Sequence, residues 1–161
     1  MIFEIYTDGA CSGNRLNSEC KGGYGYIIIL NYRKIMKGGG FRINVTNNQM
    51  ELIAVIGSLL RLKKFLRSSQ SLIKDHDCII NSDSQYVTEN WNDYIIEWAN
   101  NGWRKSNGKA LLNKKLWKKI YSLVLEFKTV KFKWVEGHGD DKNNQEVDRI
   151  AKDFIKRSPH E

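Results

Sequence analysis

Short apolar runs and turn-forming residues alternate in the first quarter of the chain, a pattern that predicts consecutive strands. β-branched and aromatic residues occupy Ile2 to Thr7 and Gly23 to Leu30, and a weaker third run covers Arg33 to Ile43. The segment from Asp8 to Gly22 is rich in Gly, Ser and Asn and predicts an irregular turn. The glycines from Gly38 to Gly40 predict a weakened third strand or a bulge in it.

Helical periodicity begins after Thr46 and dominates the remainder of the chain. Thr46 and Gln49 have the spacing of a capping box, and apolar residues follow at helical spacing to about Leu66. The later pattern predicts a polar connection over 68–77, a strand over Cys78–Ser82, short helices over Ser84–Trp91 and Tyr94–Asn100, a longer helix over Leu111–Phe127, a strand over Val130–Val135 and a last helix from Asn143 or Asn144. Consecutive strands pair antiparallel and strands joined through helices pair parallel, so we expect an α/β fold with a mixed sheet and helices on both faces.

Length and composition narrow the class of protein. The length of 161 residues predicts a single domain with one sizeable core. No uncharged apolar run approaches the roughly 20 residues that span a bilayer, and the first residues lack the basic leader of a signal peptide. Cys11, Cys20 and Cys78 lack metal-site spacing, and their odd number argues against a disulfide framework. We therefore expect a cytoplasmic protein with reduced thiols and no membrane partner.

The charge distribution favours a polyanionic partner. The formal net charge is +8, which fits nucleic acid but also fits a basic protein without such a partner. No Asp or Glu lies between Trp98 and Leu125, although this stretch holds seven basic residues: Arg104, Lys105, Lys109, Lys114, Lys115, Lys118 and Lys119. A second acid-free stretch runs from Leu52 to Lys74. This clustering strengthens the case for nucleic acid.

Four carboxylates stand where they could meet in one crevice. Asp8 and Asp83 each follow a predicted strand, and Glu51 and Asp148 lie early in predicted helices. Taken singly, each is more often a turn or capping residue. Together they would form a cluster too repulsive to persist without cations, and all-oxygen ligands suit magnesium.

The chain resembles ribonuclease H type 1 in a series of motifs that follow one another in the family's order. They are TDGACSGN at 7–14, GGYG at 22–25, TNNQMEL at 46–52, SDSQYV at 82–87, WVEGH at 134–138 and NQEVD at 144–148. The resemblance covers nearly the whole chain, to about Phe154. It implies a ribonuclease H-like fold with a five-stranded mixed sheet, three antiparallel strands followed by two parallel ones. It also implies a monomeric endonuclease that cleaves the RNA strand of RNA–DNA hybrids and leaves 5′-phosphate and 3′-hydroxyl ends.

By that resemblance the catalytic residues would be Asp8, Glu51, Asp83, His138 and Asp148. The four carboxylates would hold two Mg²⁺ ions, for which Mn²⁺ could substitute. Asp8 would bridge the two ions, with Glu51 and Asp83 on the leaving-group side and Asp148 on the water side. His138 would help to move protons or to release the product. A lone histidine between glycines is otherwise more often a plain loop residue.

The resemblance also implies a set of nucleic-acid contacts. They are Gly9, Cys11, Asn14, Thr46, Asn47, Asn48, Gln85, Trp98, Trp103, Arg104, Lys105 and Asn113. Several of these belong to a basic insert at about 94–115 that would grip the DNA strand, and Thr46 and Asn113 would seat a DNA phosphate. Asn47 and Asn48 could equally be ordinary residues of a helix first turn. For Trp117 we expect a place in the core.

The chain departs from the family pattern at several places away from the carboxylates. Asn44 replaces the arginine of the phosphate pocket, for which Arg42 could substitute, and Gln49 replaces a second arginine. The loops at 15–21, 64–77 and 139–143 are atypical, the second being an insertion expected to form a longer basic loop. A flexible tail is expected at about 157–161. Two rival functions are a binding module without catalysis and another nuclease on the same fold; the first should lack a carboxylate, and the second should lack TNN and the basic insert.

Overall fold

Five strands form one mixed sheet in the computed structural model, which describes residues 1–13 and 20–158. The strands are β1 (Ile2–Ser12), β2 (Lys21–Leu30), β3 (Arg33–Arg42), β4 (Asp77–Ser82) and β5 (Thr129–Trp134). Their order in the sheet is β3-β2-β1-β4-β5. β1, β2 and β3 pair antiparallel, whereas β4 runs parallel to both β1 and β5. The predicted sheet is confirmed.

Helices cover both faces of this sheet. They are α1 (Asn47–Ser68), α2 (Gln85–Asn100), α3 (Lys114–Val124) and α4 (Lys142–Arg157), with a 3₁₀ turn at Ile73–Asp75. α1, α2 and α3 share the main core with inward residues of the sheet such as Phe3 and Ile80. α4 packs on the opposite face, where Val147 meets Tyr6 and Ile27. Among the described residues, no helix is long and apolar enough to cross a membrane.

β1 and β2 extend further than the composition predicts. The expected irregular turn over 8–22 is wrong for its described part, since Asp8 pairs with Gly25 and Ser12 pairs with Lys21. Antiparallel pairing satisfies the backbone groups of both strands, and this outweighs the weak strand propensity of Gly, Ser and Asn. Residues 14–19 of the predicted turn lie outside the described residues.

The longer hairpin also changes the expected state of the cysteines. Cys11 and Cys20 form a disulfide bond, with Cα atoms 5.8 Å apart. The prediction that all three thiols are reduced is therefore wrong for these two, while Cys78 is free and buried. An odd count excludes complete pairing but not one pair, and the extended strands bring the ends of this loop together.

Three helical boundaries differ from the periodicity. Ser84–Trp91 and Tyr94–Asn100 were predicted as separate helices, but both lie in α2, because no breaker interrupts a stripe of apolar residues spaced three or four apart: Val87, Trp91, Ile95 and Trp98. The insertion at 64–77 is less of a loop than expected, since α1 continues to Ser68. Of the tail predicted at about 157–161, Arg157 belongs to α4 and Ser158 is buried, while residues 159–161 lie outside the described residues.

The glycines of β3 do not form the predicted bulge. The irregular register instead lies between Ile28 and Ile29, which pair with Met36 and Lys34. Gly38 and Gly40 continue the strand, and a Cβ at either position would crowd the tyrosine rings of β2. The missing side chains therefore serve packing and leave the strand unbroken.

Candidate active site and nucleic-acid interface

Three carboxylates converge at one edge of the sheet. Asp8 on β1, Glu51 on α1 and Asp83 directly after β4 each offer an oxygen, and these oxygens lie within 4.8 Å of one another. Asp8 and Glu51 are each only 4% exposed. We refer to this cluster, together with the adjoining Asp148, as the acidic crevice.

The sheet and α1 together bring these acids close. Asp8 does not end its strand as expected, but β4 ends at Ser82, which pairs with Thr7. Asp8 and Asp83 are therefore both one residue beyond the parallel pairing, at the edge where ligands of such sheets bind. A Cβ on Gly9 would lie 2.5 Å from the backbone nitrogen of Glu51. Only glycine at this position lets the first turn of α1 carry Glu51 against Asp8.

Asp148 reaches the crevice from the other face, on α4. It lines a cavity of about 290 Å³ together with Asp83 and His138. Its carboxylate forms an ion pair of 2.9 Å with Lys152, one turn later in α4. Glycines of β2 allow this approach, because a Cβ on Gly23 would overlap the carbonyl oxygen of Ala151. The four predicted carboxylates thus share one crevice, with Asp148 at its open side.

Burial and mutual repulsion dominate the electrostatics of the crevice. Burial raises the pKa of Asp8, and the nearby charges of Glu51 and Asp83 raise it further. The pKa of Glu51 is also raised, by burial and then by Asp83, and Glu51 Oε2 has no hydrogen-bond partner in the described part of the chain. Buried carboxylates with a free oxygen form an all-oxygen donor set that fits a hard divalent cation.

His138 lies in a loop of residues 135–141, the His138 loop, which is tied at both ends. The side chain of His138 is exposed and its backbone is left-handed, with φ of 57°. The Val135 amide donates to the Ser82 carbonyl at 2.9 Å, next to Asp83. From α4, the side-chain amide of Gln145 donates to the Gly139 carbonyl at 3.0 Å. The loop thereby presents His138 at the cavity that Asp83 and Asp148 line.

The N-termini of three helices meet beside the crevice. The Gln49 side-chain amide, in the first turn of α1, donates to Asn113 Oδ1 at 3.3 Å. Asn113 occupies the N-cap position of α3, and its own side-chain amide donates at 2.9 Å to the hydroxyl of Tyr86, in the first turn of α2. Helix N-termini carry free amides and partial positive charge, so this surface attracts phosphates.

Most predicted groove contacts surround these helix ends. Gly9 is buried beside Asp8, and Cys11 lies further along β1, in the disulfide bond. Thr46 caps α1 through a 3.1 Å bond from the Gln49 amide, and the first turn of α1 holds Asn47 and Asn48. Gln85 is exposed at the start of α2. Asn14 lies outside the described residues.

The part of the basic insert that follows α2 forms an exposed turn. Arg104 and Ala110 form an isolated antiparallel bridge, and the Gly108 amide donates to the Lys105 carbonyl at 2.9 Å. Arg104, Lys105 and Lys109 are all exposed. Among the described residues, none of the three forms an ion pair, so their charges face solvent.

Comparison with known proteins assigns this arrangement to a family. The family model described as RNase H matches residues 2–156. The chain belongs to the ribonuclease H family. A ribonuclease H from Idiomarina loihiensis is 38% identical over 157 residues, which cover 96% of this chain and 88% of the relative. One from Wolbachia pipientis wMel is 40% identical over 154 residues, 94% of this chain and 93% of the relative.

Solved structures of ribonucleases H show the same fold. LC9-RNase H1, a type 1 RNase H with the type 2 active-site motif, gives a TM-score of 0.75 at 23% identity, covering 97% of this chain and 72% of that one. LC11-RNase H1 in complex with RNA/DNA hybrid gives 0.71 at 19% identity, covering 96% and 97%. A foamy viral protease-reverse transcriptase in complex with RNA/DNA hybrid gives 0.80 at 17% identity, covering 97% of this chain but 20% of that one.

The tryptophans of this ribonuclease H differ in their accessibility. Trp98, a predicted nucleic-acid contact, is only 7% exposed and belongs to the main core, where its ring stacks on Tyr94. Tyr94 is 48% exposed, so it presents the aromatic surface at this position. Trp103 is half-buried against Tyr121. Trp117 is fully buried, as expected.

Arg42 could substitute for the phosphate-pocket arginine that Asn44 replaces, and Gln49 stands in place of a second arginine. Both side chains have partners within the protein. The Arg42 guanidinium lies 5.6 Å from the centre of the Tyr24 ring and donates to the Phe41 carbonyl at 2.7 Å. Gln49 completes the capping box by accepting from the Thr46 amide at 3.0 Å. The amide at position 49 therefore ties α1 to α3 where an arginine would present a charge.

Sequence reasoning missed Tyr6, Asp141 and Asn144 near the acidic crevice of this ribonuclease H. Asp141 belongs to the atypical loop at 139–143, and it caps α4 and accepts a hydrogen bond from Tyr6. Asn144 lines the cavity, is 4% exposed, and donates at 3.5 Å to the Glu136 carbonyl. An Asp directly before a helical pattern is a capping signal that could have identified Asp141.

Proposed function

We propose that this chain is an endonuclease that hydrolyses the RNA strand of RNA–DNA hybrids, leaving 5′-phosphate and 3′-hydroxyl ends. The observation that carries the proposal is the meeting of Asp8, Glu51 and Asp83 oxygens within 4.8 Å, beside a surface formed by helix N-termini. The carboxylates suit phosphodiester chemistry and the helix ends suit the backbone that carries it.

The carboxylates divide between the two sides of the reacting phosphate. Two bound Mg²⁺ ions, or Mn²⁺ in their place, would supply the positive charge that activates a water and stabilises the leaving oxygen. The Asp8 carboxylate interacts with those of Glu51, Asp83 and Asp148, and it would help to hold both ions. Glu51 and Asp83 would serve the leaving-group side, and Asp148 would serve the water side with His138, which lines the same cavity. An ion bound at Asp148 would compete with Lys152 for its Oδ2 atom.

His138 is suited to the proton transfers that hydrolysis requires. A histidine side chain changes its protonation state near neutral pH, so it can take a proton from water or donate one to the product. The exposed position of His138 at the cavity allows this exchange with solvent.

Hybrid recognition would use both strands. Short polar side chains at the starts of α1 and α2 (Asn47, Asn48 and Gln85) would read the 2′-hydroxyl groups, which separate RNA from DNA. Thr46, Asn113 and the exposed charges of the basic insert would hold the DNA backbone. Two structurally similar proteins were solved in complex with RNA/DNA hybrid, which supports the same class of substrate here.

A cleavage assay tests the proposed function. Labelled hybrid, double-stranded RNA and double-stranded DNA are incubated with the chain, with and without magnesium. We expect magnesium-dependent cleavage of the RNA in the hybrid alone, with 5′-phosphate on the products. Hybrid binding without cleavage would identify a binding module, and cleavage of DNA would identify a different nuclease.

We propose also that the chain works as one domain and as a monomer. The family model matches residues 2–156 without division, and the strands form one sheet. Sedimentation of the active protein with and without hybrid tests this, since a dimer would have twice the expected mass.

A further inference from the structure

A partly buried hydrogen bond joins β1 to the start of α4 near the acidic crevice. Tyr6, which is 8% exposed, donates its hydroxyl to Asp141 Oδ2 at 3.1 Å. Tyr6 precedes Asp8 by two residues, so their side chains project from the same face of β1. The bond thus begins beside the strand position that carries the catalytic acid.

Asp141 uses its two carboxylate oxygens for different purposes. Oδ1 accepts from the backbone amides of Asn143 at 2.9 Å and Asn144 at 3.2 Å, which caps α4. Oδ2 accepts from Tyr6. The capped first turn in turn supplies the two side chains that hold the His138 loop, because Asn144 donates to the Glu136 carbonyl and Gln145 to the Gly139 carbonyl.

We infer that Tyr6 and Asp141 are positioning residues for His138, acting as a strut that fixes the His138 loop to β1. The opposite end of the loop is bonded to β4 through Val135 and Ser82. With both ends fixed, the left-handed residue His138 is held at the cavity that it lines together with Asp83 and Asp148. This inference rests on the proposed function and on the proton-transfer role of His138 within it.

The strut should act through His138 and leave Asp148 in place. Asp148 lies seven residues after Asp141, two helical turns away. Immediately after Asp148, α4 packs against β2. The backbone of Ala151 approaches Gly23 there, and the side chain of Ile150 approaches Gly25. Those contacts do not involve Asp141 or Tyr6. Loss of the strut should therefore loosen the loop while the metal ligands keep their positions.

Two substitutions remove the same bond from opposite sides. Tyr6→Phe deletes the hydroxyl and keeps the ring in the core. Asp141→Ser keeps a good helix cap, because serine caps about as well as aspartate, but its short side chain cannot also serve Tyr6. Tyr32→Phe is the matched control, since Tyr32 is fully exposed at the β2–β3 turn. Thermal unfolding establishes that each variant is folded at the assay temperature.

Steady-state cleavage of hybrid is measured for each single variant, for the double variant and for Tyr6→Phe in a His138→Ala background. We expect each single substitution to lower kcat about three- to tenfold with KM unchanged, because small displacements of a catalytic group slow the chemical step. The double variant should be no slower than either single one. In the His138→Ala background, Tyr6→Phe should cause no further loss.

Three results would overturn the inference. They are a wild-type kcat in folded Tyr6→Phe, the same loss in the Tyr32→Phe control, and an undiminished loss in the His138→Ala background. The last would mean that the strut supports the fold or the metal ligands instead. Absence of hybrid cleavage by the unmodified chain would refute the proposed function itself, so the two failures are distinguishable.

Discussion

The acidic crevice and the basic insert are built in opposite ways. In the crevice, Asp8 and Glu51 lie on a central strand and a long helix, and both are almost fully buried. In the basic insert, charged residues from Arg104 to Lys109 lie on an exposed turn that one isolated bridge closes. Two residues at its borders, Trp103 and Asn113, have left-handed backbones.

The difference shows how the molecule separates chemistry from capture. Metal ligands must be held to a fraction of an ångström, which regular elements provide. Phosphate attraction acts over several ångströms and tolerates adjustment, which an exposed turn provides. We therefore expect substitutions in the crevice to change the rate of cleavage and substitutions in the insert to change affinity.

The largest effect on cleavage should follow Asp8→Asn. The change removes the central metal ligand while leaving the helix N-termini and the insert unchanged. We expect cleavage to be abolished and hybrid binding to be largely retained, as measured by a cleavage assay and by fluorescence anisotropy. Substantial magnesium-dependent cleavage by this variant would refute the assignment of Asp8 as the shared ligand.

Charge removal from Arg104, Lys105 and Lys109 should have a smaller effect, confined to affinity. We expect KM to rise roughly tenfold with kcat unchanged, because the lost phosphate contacts stabilise substrate and transition state equally. The salt dependence of binding should flatten by about 0.9 log–log units per lost contact. As a control, the same change at Arg61, Lys64 and Arg67, exposed on the far part of α1, should leave the slope unaltered. An unaltered slope in the first variant would leave the insert without a role in capture.

The pH dependence of stability should distinguish the crevice from the insert without any substrate. The pKa values of Asp8 and Glu51 are raised by burial and by neighbouring acids, so the folded state binds more protons than the unfolded state. The stability that these two carboxyl groups contribute to the folded state is fully present below the unfolded pKa of about 4, and it is lost as pH rises above that value. We expect the metal-free Tm to fall with rising pH, to fall less steeply in Asp8→Asn, and to recover with magnesium. A slope that Asp8→Asn leaves unchanged would contradict this account.

The smallest effect on cleavage should come from the disulfide bond at the end of β1. The bond closes a short loop, since Cys11 and Cys20 are separated by nine positions in sequence, so reduction should lower stability by about 2–3 kcal/mol. Asp8 is three residues from Cys11, but it is held by pairing with β2 and by contact with α1, so kcat should be unchanged. Chemical denaturation and kinetics are compared with and without dithiothreitol, with Cys20→Ser as the control that reduction should not affect.

Elements with strong local signals could be predicted from the sequence. The capping box at Thr46 and the apolar stripe after it place α1 correctly, and the order of strands and helices gives the sheet. The hairpin of β1 and β2 could not be predicted in full, because pairing between strands is a non-local effect that composition does not show. The disulfide bond has the same kind of cause, whereas the continuity of α2 has a local cause, since no breaker lies between Trp91 and Tyr94.

The residues of the candidate site also divide into those that the sequence predicts and those that only the structure shows. Family motifs point to Asp8, Glu51, Asp83 and Asp148, and the structure brings these residues together. Burial of Trp98 and the bond between Tyr6 and Asp141 could not be foreseen, because both depend on residues far apart in sequence. Thus motifs identify the groups that react, whereas three-dimensional contacts identify those that hold them.

The shape of the crevice depends on two glycines of β2 that have no side chain where α4 packs against them. A methyl group at Gly23 would overlap the Ala151 carbonyl, and one at Gly25 would lie 2.7 Å from the Ile150 side chain. Such a methyl group would lift the helix, and Asp148 with it, from the sheet that carries Asp8. These positions carry no reactive group, yet they should tolerate variation as poorly as the carboxylates do. A set of variants with different side chains at Gly23 and Gly25 would therefore vary the distance between Asp148 and Asp8.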